Sequence, residues 1–186
     1  MACNVSKGRI LPCKGAYGGI KAAYFFTLGG LNGTNDVEPT YQDGKITALA
    51  SGASPTFYEY MVKNTSSLET TINSSRETGT TFYEQTLNLT LTYLDNDTQE
   101  QIKLLAWDRP SVVVEDYYNN FFVCGLDNGM ELNSGTIGTG TQPADLSGFT
   151  MTFVGQEVDP AIFITGSLVT GATQGAKIDP TSAVSP

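Results

Sequence analysis

The chain has 186 residues, 40 % of them hydrophobic, enough for one domain with a real core, and no apolar run approaches the length of a transmembrane helix. Nineteen acidic residues against 10 basic ones leave a net charge of −9, so any meeting with DNA or RNA is expected to be repulsive or sliding, not gripping. The sequence has no histidine, which removes every imidazole-based catalytic triad and every His-ligated metal site.

The first residues, MACNVSKGRILPCKG, lack the apolar stretch of a secretory leader, and synthesis in a cytosol is the expectation. Cys3, Cys13 and Cys124 match no zinc spacing and read as buried or partly buried thiols. Residues 20–28, IKAAYFFTL, form the first strand signal. The stretch 29–44, GGLNGTNDVEPTYQDG, is rich in turn formers and reads as a long loop. Residues 56–62 alternate, with Phe57, Glu59 and Met61 on one side and Tyr58, Tyr60 and Val62 on the other. LETTIN, 68–73, alternates in the same way, with Leu68, Thr70 and Ile72 on one face.

The clearest strand is QTLNLTLTY, 85–93. Leu87, Leu89, Leu91 and Tyr93 share one face, while Thr86, Asn88, Thr90 and Thr92 share the other, the pattern of a half-buried antiparallel strand. The period then breaks. Residues 98–110, TQEQIKLLAWDRP, place Ile102, Leu105 and Ala106 on one helical face behind an Asp97/Glu100 capping pair, and Arg109-Pro110 ends them. One helix of about three turns, lying across a sheet, is expected.

Strand signals resume at 110–116, 118–126, 130–138, 148–156 and 161–168, with Asp127-Asn128-Gly129 as a hairpin turn between two of them. The tail 170–186 has no core pattern and reads as extended. Together these signals give a mainly β chain: an antiparallel β-sandwich or barrel with one short flanking α-helix, a single domain over 1–169.

Chemistry is scarce. Glu115, Asp116, Asp127, Glu131 and Glu157 could supply a carboxylate pair for sugar hydrolysis. That chemistry wants an aromatic cleft, and the single Trp, Trp107, sits at the helix end, where a core or interface anchor is the better reading. Asp95, Asn96 and Asp97 lack the calcium-loop spacing and fit turn and cap chemistry instead. GTIGTGTQ opens no helix, so it is no phosphate cradle. No catalytic residue, cofactor or metal is expected. Tyr24-Phe25-Phe26, Tyr58, Tyr60, Tyr117-Tyr118 and Phe121-Phe122 put aromatics on both faces of their strands, which favours an interface as much as plain strand propensity.

One segment adds a further expectation. Asp145-Leu146-Ser147-Gly148-Phe149-Thr150-Met151-Thr152-Phe153, then Gly155-Gln156-Glu157 and Pro160-Ala161, resemble the final hairpin region of tail tube proteins of tailed bacteriophages. The block QTLNLTLTYLDNDTQEQIKLLAW, a long Thr-rich strand followed by a short helix, is similar to the same family. The resemblance implies a virion structural protein and not an enzyme. In such proteins six copies join sheets into a hexameric ring, rings stack into the tube through which the genome leaves, and a long loop and the termini reach the next ring. Homo-oligomers, other tail or neck proteins, and DNA passing without specific binding are the implied partners, with no membrane. The location implied is the virion tail, after synthesis in the host cytoplasm. A connector or tail terminator ring and a head decoration protein are the alternatives, and a β-sandwich enzyme or ligand binder the remainder.

Overall fold

The computed structural model describes residues 8–10, 17–27, 40–42, 44–48, 56–62, 65–165 and 173–174. The chain folds into two stacked β-sheets with one helix, a sandwich and not a closed barrel. In chain order the strands are β1 (Ile20–Thr27), β2 (Thr40–Gln42), β3 (Lys45–Ala48), β4 (Thr56–Met61), β5 (Ser67–Ser75) and β6 (Thr80–Thr92). After α1 (Asn96–Leu105) come β7 (Pro110–Asp116), β8 (Phe121–Cys124), β9 (Glu131–Gly138), β10 (Gly148–Glu157), β11 (Ile162–Ile164) and β12 (Thr173–Gln174). The large sheet has eight strands in the order β12-β4-β1-β7-β8-β11-β3-β2, and the small sheet four, in the order β5-β6-β10-β9.

The period-two pattern of β6 does what it should. Leu87, Leu89 and Leu91 point into the space between the sheets, joined from β10 by Phe149, Met151 and Phe153. They meet Ala23 and Phe25 of β1, Val112 and Val114 of β7, and Cys124 of β8. The rings of Phe25 and Phe153 lie 5.3 Å apart across the gap. Each such side chain contributes about 1.5–3 kcal/mol by leaving water.

The large sheet has a second core on its other face: Phe26, Ile46, Phe57, Val113 and Val123. This corrects the expectation for the aromatic strands. Phe25 and Phe26 do point to opposite faces, but both faces are buried, at 2 % and 1 % exposure, so Phe26 adds nothing to the outer surface. It also accounts for β7, whose PSVVV run is buried at every position, as a strand covered on both faces should be.

Several expectations change in detail. Tyr93 does not share the leucine face: its φ of 69° takes it out of the strand, and it is exposed. The helix cap is Asp95, whose side chain accepts from the Thr98 amide, two residues earlier than the expected Asp97/Glu100 pair. The helix joins the two sheets. It carries the chain from the small sheet to the large one and places Thr98 and Ile102 inward, with Leu105 packed at the edge of the core and Ala106 exposed. Asp127-Asn128-Gly129 does not close a hairpin within one sheet; it crosses from β8 of the large sheet to β9 of the small one. Strands β3 and β11 pair in parallel, as do β4 and β12. The expected loop 29–44 holds a strand, β2, paired with β3, and residues 29–39 and 43 lie outside the described residues. Of the tail 170–186, Thr173–Gln174 pairs beside Thr56–Phe57 and the rest lies outside the described residues, as do Cys3 and Cys13.

Candidate assembly surface

The carboxylates named from the sequence do not converge. Glu115 lies on the far face of the large sheet, bound by the Lys21 ammonium and the Tyr24 hydroxyl. The Glu115 hydrogen bond and charge push the Lys21 pKa up, and burial, seconded by the same carboxylate, pushes Tyr24 up. Asp116 accepts from the amides of Tyr118 and Asn120 and shapes its own turn. Glu131 pairs with Arg109 on the surface. Glu157 is buried and accepts from the amides of Asp127 and Asn128. Glu115, Asp116, Glu131 and Glu157 thus each have a structural partner, Asp127 places its charge beside Glu157, and among the described residues no group of His, Cys, Asp or Glu could hold a metal ion. Cys124 is fully buried, which together with the Glu157 charge pushes its thiol up to about 12, so it is no nucleophile.

Open clefts among the described residues include two. One, of about 390 Å³, lies between the sheets beside β5, with Ile20, Leu68, Val114 and Phe122 in its walls. The other, of about 330 Å³, lies beside α1, where Tyr58, Tyr60 and Leu104 meet. Neither gathers the convergent polar groups of a small-molecule site. Trp107 is 92 % exposed, so the core half of its reading fails.

The residues of the resembling segment prove to be scaffold. Asp145 closes the loop between β9 and β10 by accepting from the Thr141 hydroxyl and the Thr141 and Gln142 amides, bonds that hold its carboxyl below the usual range. Gly148 is required by contact: a Cβ there would stand 2.0 Å from the Leu91 carbonyl oxygen. At Gly155 a Cβ would press on the Met130 sulfur and the Gly129 carbonyl, where the inter-sheet turn meets β10. Glu157 then holds that turn.

Among the described residues the small sheet keeps one face and both edges without a partner. Its face away from the large sheet is wet and Thr-rich. Thr136 and Thr150 share a hydrogen bond, Thr152 donates to Asn88, and Asn88 donates to Ser67, so the hydroxyls and amides run as rows across the strands. No residue of β5, β6, β9 or β10 is Lys or Arg, while Glu69, Glu84, Glu131 and Glu157 all lie in these strands. Among the described residues no strand pairs with the outer edge of β5 or of β9.

The edge amides can be assigned. Thr90 donates its amide toward the β5 side, to Ser66. Amides alternate along a strand, so Asn88 and Ser67 exchange bonds, and Leu68, Thr70 and Ile72 point theirs to the open edge. The same alternation through β10 leaves Gly135 and Ile137 pointing outward from β9. Ile72 and Ile137 are also 66 % and 56 % exposed, although both lie on the face that carries the core. The sequence shows the alternation of LETTIN but not that its Ile72 overhangs the sandwich, because register is a property of the partner strands. Compared with protein-family models, with curated proteins and with solved structures, the chain matches none, so its assignment stands on these residues and their geometry.

Proposed function

We propose that the protein is a virion structural subunit, a tail tube protein whose copies join small sheets edge to edge into hexameric rings that stack into the conduit for DNA ejection. The observation that supports this most is the small sheet: two long open edges on one sheet among the described residues, neither carrying Lys, Arg or Pro. Soluble monomers blunt such edges with Lys, Pro, inward charges or very short strands, because a bare edge templates pairing with another chain. β5 and β9 are 9 and 8 residues long and hold no Lys, Arg or Pro. The four strands alternate in direction, so a head-to-tail neighbour brings β9 beside β5 antiparallel, and repetition around a ring removes every edge. A wall free of cations offers phosphate nothing to neutralise, which suits a passage that DNA must leave. The hexamer itself comes from the resemblance of 134–161 and 85–107 to the tail tube family.

Thr70→Pro tests the seam. The Thr70 amide faces the open edge, where proline costs a monomer little, yet the ring both removes a donor and obstructs the neighbour. The expected result by light scattering is loss of assembly, with a cooperative melt retained. Assembly equal to that of the parent chain would refute edge-to-edge joining.

A further inference from the structure

We propose that β9 of one copy pairs with β5 of the next in a single register, Ile137 opposite Leu68 and Leu132 opposite Ile72, and that this seam turns the Thr-rich face to the inside of the ring. The inference rests on the ring reading above and adds the register and the sense of the wall.

The two edges are not level. Measured against β6, β5 runs from the level of Asn88 to that of Thr80. β9, followed through β10, runs from the level of Thr92 to that of Thr86. Two copies set side by side without displacement would therefore match only three residue pairs. To engage fully, each copy must shift along the strands relative to its neighbour. Side-chain alternation allows only even shifts, since an odd one would set a core-face residue opposite a wet-face residue.

A shift of two gives five pairs, and shifts of four or six give seven, all that β9 offers outside its bulge at Asn133. Four and six differ in chemistry. Ile137 stands at the level of Leu91, and Leu68 at that of Leu87, four residues away. Leu132 stands at the level of Leu87, and Ile72 at that of Tyr83, again four. A shift of four thus seats both exposed isoleucines against leucines of the neighbour. A shift of six sets Ile137 against Thr70 and Leu132 against Ser74.

The same number fits closure. Four residues over four strands is one residue of stagger per strand, the ratio of an eight-stranded barrel of shear eight, whose strands tilt about 36°. Six residues would demand a tilt of about 47°, outside the usual range for barrels. With six copies at the smaller tilt the backbone wall would be roughly 45 Å across, wide enough for duplex DNA inside its side chains.

Handedness settles the inside. The Thr90 side chain points away from the large sheet and its amide toward β5. For an L-residue this places β5 on the left and β9 on the right when β6 is viewed running upward from the large-sheet side. β9 is the higher edge, so the copy on the right is raised along the strands. In a level ring the strands then lean to the right as they rise, the sense that the natural twist of sheets demands. With the Thr-rich face outward the same stagger would give the opposite, unnatural sense.

The test uses the whole chain with Cys3 and Cys13 changed to Ser. Paired residues with outward amides lie about 5.5 Å apart, within disulfide reach. Leu68→Cys with Ile137→Cys is expected to give a ladder of covalent oligomers on a non-reducing gel, ending at the closed ring. Thr70→Cys with Ile137→Cys, the register shifted by two, is expected to give none. For the wall, Thr136→Cys should lose its reaction with a maleimide on a long polyethylene glycol when rings stack, while Gln99→Cys on the helix keeps it. Rings in the microscope with a ladder from the second pair, or from neither, would overturn the register. Full labelling of Thr136→Cys inside tubes would overturn the facing. Absence of rings altogether would instead sink the reading on which both rest.

Discussion

Leu89→Asp is expected to abolish folding. Leu89 is 1 % exposed at the centre of β6, between Met151 and the facing sheet. The change removes a buried aliphatic side chain, a loss that alone costs about 2–5 kcal/mol on truncation to Ala. It then puts a carboxylate where no donor faces it, with a desolvation cost large enough to exceed the 5–15 kcal/mol by which domains are typically stable. The neighbour supplies the contrast. Thr90 points to the wet face, so Thr90→Asp should fold and melt within a few degrees of the parent. Circular dichroism and solubility read both. A soluble Leu89→Asp protein with a cooperative melt would contradict the face assignment of β6, and with it the two-sheet core.

Glu157→Ala should lower the melting temperature substantially without preventing folding. Glu157 is 4 % exposed, and its two oxygens take the amides of Asp127 and Asn128. Two stranded amides at about 1–3 kcal/mol each amount to roughly 10 °C for a chain of this size. The turn is the passage from one sheet to the other, so loosening it also frees the start of β9. The effect carries a pH signature. Burial raises the Glu157 pKa above its usual value, against the pull of the turn amides, with the Asp127 charge adding to the rise. A raised carboxyl binds its proton more tightly in the folded state. Its contribution is therefore fully present below the unfolded value and declines as pH rises through the folded one. The gap between parent and Glu157→Ala melting temperatures should widen as pH falls from neutral toward the ordinary glutamate range. A gap that is constant, or narrows, would refute the burial argument.

Where a strand has one wet face, the sequence displayed it. The run from Thr86 to Leu91 alternates without fault, and its leucines are the core. Where both faces are buried, alternation could not reveal the second core: Phe26, Val113 and Ile46 look like surplus aromatics and aliphatics until the large sheet is seen to pack on both sides. The short strands β2, β3 and β12 carry two to four residues each, too few for a period. Asp95, Asn96 and Asp97 all suit a cap, and only the accepted Thr98 amide selects Asp95. The Gly148 and Gly155 contacts and the Glu157 clamp explain why the segment 145–157 needs those residue types, and why it is scaffold. The proposed assembly surface was half legible. The lack of Lys, Arg and Pro in β5 and β9 could be read residue by residue, but the offset between the two edges exists only in the register of β6 and β10.

Electron microscopy of the purified chain, negatively stained over a range of concentrations, tests ring formation most directly. Rings with a central hole wide enough for duplex DNA, joining into striated tubes as concentration rises, are the expected images. A field of single subunits at every concentration, from protein that melts cooperatively, would contradict the proposed function.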